Sequence, residues 1–174
     1  MKLITNLWWK RVFKIIPLTC LNKRQLRDVN YLLGKGKRSV RTDILADGEM
    51  KGILALFAFN KPIGAISYFR RPSMITNLYV DNRNPLVDQF RKFAGHSAGE
   101  ELVRQAVNRF EGDTFYSNIP VRATAKRWIR RIVSKAGGRA DLVDSPFRAR
   151  YDYELPPESK SKFKPKLPLS RKVG

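Results

Sequence analysis

The chain has 174 residues, of which 43% are hydrophobic, and this suits one globular domain with its own core rather than a disordered chain. Its 35 lysines and arginines stand against 15 acids, and the resulting net charge of +20 favours polyanions such as nucleic acid, ribosomes or anionic membranes, a highly charged protein without such a partner being the alternative. The single cysteine, Cys20, excludes an internal disulfide and agrees with a reducing compartment, so we expect a cytoplasmic protein.

The N-terminal region is basic and contains no acid up to residue 27. Its lysines and arginines interrupt the apolar runs, so no segment there is long enough to span a bilayer and a secretory signal is poorly matched. We predict a basic leader over residues 1–11 and then a strand over residues 12–18, and Pro17 indicates that this strand lies at a sheet edge or ends early. A mitochondrial address, or contact with a lipid surface through Trp8, Trp9 and Phe13, is the alternative.

A helix and a three-stranded meander are predicted next. Residues 21–33 place Leu26, Val29, Leu32 and Leu33 at helical spacing. Apolar runs at residues 52–59 and 63–69, joined by Asn60-Lys61-Pro62, indicate a hairpin, and residues 74–80 supply a third strand.

At the centre of the chain, a strand, a small-residue turn and a helix follow one another. The strand at residues 75–80 leads through a polar loop into Gly95-His96-Ser97-Ala98-Gly99, where an amphipathic helix begins and continues to residue 110. Because the first N–H groups of a helix have no internal partner and its dipole favours an anion there, this pattern predicts a phosphate site. Plain punctuation of the chain by glycine is the alternative.

The C-terminal part contains a predicted strand at residues 114–119, a helix at 122–136 and a final strand at 148–155. The helix has an apolar stripe opposite a basic face, and the Lys/Pro-rich residues 156–174 predict a flexible basic tail. We expect this face and the tail to bind nucleic acid, DNA or RNA, with little dependence on sequence. The basic residues expected to do so are Lys126, Arg127, Arg130, Arg131, Lys135, Lys162 and Lys164.

Five segments carry a resemblance to a known family. They are residues 13–19, the hairpin 57–65, the strand end Asn77-Leu78-Tyr79-Val80-Asp81, the turn 95–99 with Leu102, and the helix 125–138. Together they resemble the GNAT superfamily of N-acyltransferases over residues 12–155. The resemblance implies a single α/β domain with a mixed, mostly antiparallel sheet, flanked by helices and splayed open near the central strand.

The resemblance also implies acetyl-CoA or another acyl-CoA as cofactor, with pantetheine along the central strand and pyrophosphate on the turn. The implied cofactor-binding residues are Leu78, Val80, Lys92, Gly95, His96, Ser97, Ala98 and Gly99. The family's turn reads Gln/Arg-x-x-Gly-x-Gly/Ala, and this sequence matches it incompletely. Anchoring on Gly99 puts Ser97 at the first glycine and Ala94 at the Gln/Arg, whereas anchoring on Gly95 gives Lys92-x-x-Gly95-x-Ser97. Backbone N–H groups still suit a diphosphate, with Arg91 or Lys92 supplying charge.

Related enzymes commonly use a Glu or a water as general base and a Tyr in the last helix as general acid, where this chain has Trp128 or Ile129. The resemblance leaves Tyr79, Tyr116, Ser117 and His96 as catalytic candidates near the sheet opening. His96 would titrate usefully near neutrality, although a loop or packing role is the alternative for the histidine and both tyrosines. No metal-ligand cluster, Ser/His/Asp order or Walker-type loop is apparent.

Two functions are therefore considered. The first is a CoA-dependent N-acyltransferase acting on an acceptor associated with nucleic acid or the ribosome, because a net charge of +20 would repel polyamines and basic peptides. The second is a non-catalytic nucleic-acid-binding protein built on a GNAT-like fold that has lost its acid.

Overall fold

The computed structural model describes residues 5–34, 51–118, 123–143, 150–159 and 164–170. The described helices are α1 (Thr5–Val12), α2 (Lys23–Gly34), α3 (Pro85–Ala94), α4 (Ala98–Val107) and α5 (Ala123–Lys135), with a short 3-10 turn at Leu18–Cys20. The described strands are β1 (Phe13–Pro17), β2 (Lys51–Ala58), β3 (Lys61–Phe69), β4 (Met74–Val80), β5 (Thr114–Asn118), β6 (Arg139–Val143) and β7 (Arg150–Glu154).

These strands form one sheet in the order β1-β2-β3-β4-β5-β7-β6. All neighbouring strands are antiparallel except β4 and β5, which are parallel. Residues 53–58 of β2 and 63–68 of β3 are all buried, so both faces of these strands are covered. This explains why the sequence reads there as continuous apolar runs instead of alternating ones.

Helices cover the sheet on both sides. On one side, called the α2 face below, Val29 and Leu33 of α2 pack with Ile16 and Phe57 of the sheet. On the opposite side, called the α4 face, α1, α3, α4 and α5 share the larger core. The predicted α/β fold class, a mixed and mostly antiparallel sheet flanked by helices, is confirmed.

The sheet divides at β4 and β5. In the described residues their parallel ladder has two pairs, Met74 with Tyr116 and Ile75 with Ser117. On its other side β4 pairs with β3 along its whole length, from Met74 to Val80. The carboxyl half of β4 therefore extends beyond the ladder with β5, which is the opening that the resemblance implied.

Helix α3 was missed by the sequence prediction, which assigned residues 81–94 to a polar loop. Its start and end carry standard signals, since the Asn84 side chain accepts the N–H of Leu86, Pro85 is the first helical residue, and Gly95 ends the helix at a φ of 72°. Val87 and Phe90 are buried under it. The prediction was wrong because the polar residues before Pro85 were interpreted as the body of a loop and not as a helix start.

The sequence prediction also missed helix α1 and strand β6. Helix α1 lies where the basic leader was predicted. Trp9 and Phe13 are buried and their rings lie 6.0 and 5.2 Å from the ring of Phe90, so both belong to the core and not to a lipid contact. Trp8 is exposed and meets Phe93 edge-on at 6.4 Å. Residues 1–4 lie outside the described part of the chain, as do the predicted strand ends at 119 and 148–149.

The tail was predicted to be flexible, but one described part of it, residues 164–170, packs on the domain. Leu167 is buried, and its carbonyl oxygen accepts a hydrogen bond from Gln105 Nε2 at 2.7 Å. The N–H of Ser170 donates to the carbonyl of Ile15 at 2.8 Å, beside a parallel bridge between Ile15 and Leu169. We call residues 164–170 the C-terminal segment.

Candidate functional site

A cleft of about 220 Å³, called the α4 cleft, opens at the start of α4. Arg91 of α3 and Arg131 and Lys135 of α5 line it, together with Gly95, His96, Ser97, Glu100, Trp128 and Ile132. The Glu100 carboxylate pairs with Arg104 at 2.8 Å, which offsets its negative charge. Lys92, an expected cofactor residue, is exposed on α3 and is not among the lining residues. The positive end of α4 is thus surrounded by cations from two other helices.

Two helix caps shape the turn between α3 and α4. Gly95 has the left-handed backbone conformation that residues with a side chain rarely adopt, and its N–H donates a hydrogen bond to the carbonyl of Arg91. The Ser97 side chain accepts the N–H of Glu100 at 3.1 Å and so caps α4. The expected phosphate turn is therefore a junction of two helices, and its cleft-facing part is residues 95–97.

His96 is buried within this junction. Its Nε2 donates to the Glu101 carboxylate at 2.6 Å and its Nδ1 lies 3.1 Å from the carbonyl oxygen of Ala94. Both ring nitrogens are engaged inside the protein, and the ring meets Phe90 edge-on. This geometry gives His96 a structural role, because its contacts stabilise the turn.

Glu101 connects the same junction to the C-terminal segment. Its carboxylate is fully buried and also accepts the N–H groups of Lys166 and Leu167, at 3.2 and 2.9 Å. Burial alone raises the pKa of Glu101, but the hydrogen bonds from His96, Leu167 and Lys166 outweigh burial and bring that pKa below its ordinary value. Lys166 Nζ donates to the carbonyl of Ala94 at 2.6 Å, so the segment holds the turn at two points.

Gly99 is small for a reason other than the one expected. A Cβ atom there would lie 2.6 Å from Cε3 of Trp128, so the glycine lets α5 pack against α4. Ala98 is likewise fully buried. The small size of Gly99 is thus explained by Trp128, and its part in binding a diphosphate stays a prediction.

The second turn of α4 lies over the end of β4. A Cβ atom on Gly64 would be 3.1 Å from Leu102 and 3.2 Å from Val80, which places the second turn of α4 on the last residue of the strand. The side chains of Leu78 and Val80 are buried in the core on the α4 face. Along the opening these two residues therefore offer backbone groups and not side chains.

The four catalytic candidates are divided between the two faces of the sheet. Tyr79 packs beside α2, and Tyr116 faces the same side because Phe115 and Ser117, its neighbours on β5, face the other. Ser117 and His96 are on the α4 face, and both are buried. The structure does not bring the four together, and it leaves Tyr79 and Tyr116 as the pair on one face.

Ser117 has a partner that the sequence analysis did not single out. The hydroxyl groups of Ser117 and Tyr153 are 3.0 Å apart in the core. Burial raises the pKa of Tyr153 to about 12, against a smaller opposing effect of its hydrogen bond with Ser117. Tyr153 therefore stays protonated at neutral pH.

The outer side of α5 carries a second basic cleft of about 430 Å³, called the α5 cleft. Arg127, Arg130 and Arg131 line it together with Ser134, Gly138 and Ala140. Among the described residues, no carboxylate forms an ion pair with these three arginines. Arg130 and Lys126 also lie over the Tyr151 ring, at 5.7 and 5.6 Å. These two side chains were expected to meet only solvent or an anion, but each also makes a cation–π contact. Lys164 is exposed on the C-terminal segment, and Lys162 lies outside the described residues.

No protein-family model matches the sequence, and no curated protein matches it either. Among solved structures, the N-acetyltransferase PseH of Campylobacter jejuni is similar at 15% identity and a TM-score of 0.49, over 83% of this chain and 98% of that one. An acetyltransferase of Thermus thermophilus is similar at 17% identity and a TM-score of 0.49, over 83% and 97%. An acyl-CoA N-acyltransferase of Pseudomonas aeruginosa gives 11% and 0.44, over 83% and 98%.

This chain has a GNAT-like fold. Among the described strands, the mixed and mostly antiparallel pairing, the one parallel pair and the opening beyond it agree with the fold that the resemblance implied. Identities this low and TM-scores below 0.5 assign neither a family nor an activity. No helix in the described ranges is both long and apolar enough to cross a membrane, and their His, Cys, Asp and Glu residues form no group of three that would hold a metal ion.

Three important residues escaped the sequence analysis. Glu101 was hidden because its partners, Lys166 and Leu167, are distant in sequence. Tyr153 lies in a strand that was predicted, but its partner on β5 leaves no local pattern. Asn77, in the middle of β4, was visible as a polar residue in an apolar strand, and that signal was available.

Proposed function

We propose that this chain is a CoA-thioester-dependent N-acyltransferase. The observation that carries the proposal is the position of the α4 cleft, where Arg91, Arg131 and Lys135 surround the start of α4, a helix whose second turn lies on the end of β4. A diphosphate suits this cleft because cations and the helix dipole both favour an anion. The adjoining opening between β4 and β5 suits the pantetheine arm.

In a direct acyl transfer the protein forms no covalent bond with the acyl group. The acyl carbon forms a bond to the nitrogen of an amine and loses its bond to sulfur, and the proton released by nitrogen ends on the CoA thiol. Tyr79 and Tyr116 lie on the α2 face beside the opening and are our candidates for handling that proton. Ser117 and His96 are set aside from this role, since both are buried and bonded to other protein groups.

Local charge agrees with an amine acceptor. A cleft of about 470 Å³ beside Tyr116 is lined by Asp141, Asp152 and Glu154. These carboxylates would favour an ammonium group locally, although the whole protein carries +20. An amine associated with nucleic acid or the ribosome agrees with both the acidic cleft and the positive net charge. The α5 cleft would bind the polyanion, and the cleft beside Tyr116 would bind the amine. The cytoplasmic location stays a prediction.

A specific observation favours a second candidate, a nucleic-acid-binding protein without catalysis. The three arginines of the α5 cleft have no carboxylate partner among the described residues, and the four catalytic candidates do not converge. Release of thiol from acetyl-CoA, measured with bulk RNA, with DNA and with simple primary amines, separates the two. Binding of nucleic acid without thiol release in any of the three would favour the second candidate.

The cofactor site is tested by titration calorimetry. We expect CoA to bind and pantetheine, which lacks the diphosphate, to bind far more weakly. Arg91→Gln should weaken CoA binding about fivefold, whereas Lys92→Gln, its exposed neighbour outside the cleft, should leave it unchanged. Equal affinity for CoA and pantetheine, or no binding of CoA, would refute the proposed cofactor site.

A further inference from the structure

Asn77 is a buried polar residue with an unused hydrogen-bond donor. It lies in the middle of β4 with 3% of its surface exposed, and its Nδ2 has no hydrogen-bond partner in the described part of the chain. Its polar neighbours differ from it, since the hydroxyls of Ser67 and Thr76 bond to each other at 2.6 Å. Buried amide groups in proteins are nearly always hydrogen-bonded, so an unpaired one needs an explanation.

The position of Asn77 supplies one. Within the described residues the ladder between β4 and β5 ends at Ile75, so Asn77 is two residues beyond its last pair. It pairs with Ser67 in the register that puts Tyr79 opposite Ala65, so Asn77 and Tyr79 face the same side, the α2 face. Tyr116 faces that side as well. The unused donor therefore lies at the inner end of the opening, between the two tyrosines.

Asn77 is also close to the end of β4. Residues 77 and 80 are separated by about 10 Å at a strand's rise per residue. Because Val80 lies under α4, a CoA with its diphosphate in the α4 cleft would extend back along β4 toward Asn77 with its thioester end. The thioester carbonyl oxygen is an acceptor that gains negative charge when an amine attacks, and an amide N–H in a buried site stabilises such charge.

We propose that the Asn77 side chain donates a hydrogen bond from Nδ2 to the carbonyl oxygen of the acyl thioester. This rests on the proposed function and deepens it, because it names the group that recognises the acyl part of the cofactor. Without ligand the donor is left unpaired, which lowers stability; with ligand it is satisfied. Asn77 then distinguishes an acyl thioester from a CoA derivative that lacks the carbonyl.

Acetyl-CoA and S-ethyl-CoA are the probes, because they differ in the carbonyl oxygen and are nearly equal in size. We expect the natural protein to bind acetyl-CoA about fivefold more tightly than S-ethyl-CoA, which is the effect of one hydrogen bond. Asn77→Leu should bind the two equally and keep the affinity for S-ethyl-CoA. The carbonyl stretch of isotope-labelled acetyl-CoA should shift to lower frequency on the natural protein and not on the variant.

Stability gives an independent readout from the same samples. Replacing an unpaired buried amide by an apolar side chain of similar size should raise Tm, so Asn77→Leu should be more stable and less selective. Thr76→Val is the matched control: it removes the bond to Ser67, lowers Tm and leaves the preference for acetyl-CoA intact. If Asn77→Leu does not fold, Asn77→Ala serves in its place.

The outcomes separate the two proposals. If CoA binds but the natural protein shows no preference for acetyl-CoA, or if the preference survives in the Asn77 variants, the role of Asn77 is refuted and the cofactor site stands. If no CoA derivative binds, both are refuted.

Discussion

Glu101 on α4 accepts a hydrogen bond from the backbone N–H of Leu167 at 2.9 Å, across 66 residues of sequence. The same carboxylate accepts from His96 and from the N–H of Lys166. A single buried charge therefore joins the C-terminal segment to the turn that borders the α4 cleft. Buried charges are tolerated only when hydrogen bonds replace the lost water, and here the segment supplies two of those bonds.

Glu101→Gln should destabilise the protein by about 2 kcal/mol, because the NH2 group that replaces one carboxylate oxygen would face N–H donors and could not accept hydrogen bonds from them. Urea unfolding measures the change. Glu100→Gln is the matched control on the same helix, since it removes only the partly exposed pair with Arg104 and should lower stability by about 0.5 kcal/mol. Equal effects of the two substitutions would contradict the role given to Glu101.

The acid dependence of stability should also come in part from Glu101. Its pKa in the folded protein is lowered, so its contribution is complete above the ordinary pKa of a glutamate and is lost as the pH falls through the folded pKa. The groups that face it are His96, Gln105 and the N–H groups of Lys166 and Leu167. We expect the Tm difference between the natural protein and Glu101→Gln to shrink on acidification. A difference that is constant from neutral to acidic pH would oppose this account.

Local patterns in the sequence sufficed for most of the sheet and for three helices, α2, α4 and α5. The stripe that includes Ile129 and Val133 predicts α5 because helical periodicity is a property of neighbouring residues. The docked C-terminal segment could not be predicted in this way, since its lysines and prolines are typical of a flexible tail and its partner Glu101 is far away in sequence. Helix α3 was predictable in principle from Asn84, Pro85 and Gly95.

The candidate site was predicted in outline and not in detail. The small-residue turn correctly marked the start of α4, but the neighbouring cations Arg131 and Lys135 come from a helix that only the fold brings there. Gly99 illustrates the limit of a motif: its small size suits a phosphate and a packed tryptophan equally, and only the structure shows that a tryptophan packs there.

Gly99→Ala should therefore destabilise the protein by about 1–3 kcal/mol through overpacking against Trp128, even though alanine is the better helix former. Thermal unfolding measures this. In a Trp128→Leu background, Gly99→Ala should lower stability less than it does in the natural protein, because the ring that clashes with the added Cβ atom is gone. Gly112→Ala is the control, because an added Cβ there meets nothing nearer than 3.8 Å. A Gly99→Ala protein as stable as the natural one would show that the two helices are less closely packed.

Arg131 lines both the α4 cleft and the α5 cleft, whereas Lys135 lines only the first and Arg127 only the second. If CoA occupies the one and a phosphate backbone the other, the two ligands share a single guanidinium group. Arg131→Gln should then weaken the binding of both, Lys135→Gln that of CoA alone and Arg127→Gln that of nucleic acid alone, each by about fivefold. All three side chains are on the solvent side of α5, so the matched set should fold equally well.

Calorimetry with CoA and fluorescence anisotropy with a labelled random duplex and a random single strand measure the two affinities. Nucleic-acid binding should fall steeply with salt, and each lost arginine should reduce the slope of that dependence by about one. Because a shared cation cannot serve two anions fully, saturating CoA should also lower the affinity for nucleic acid, and reciprocity requires the same factor in the other direction. Additive, independent binding of the two ligands, or an Arg131→Gln protein that loses only one of them, would show that the clefts do not share this residue in function. If neither nucleic acid binds even at low salt, the arginines of the α5 cleft are merely solvated.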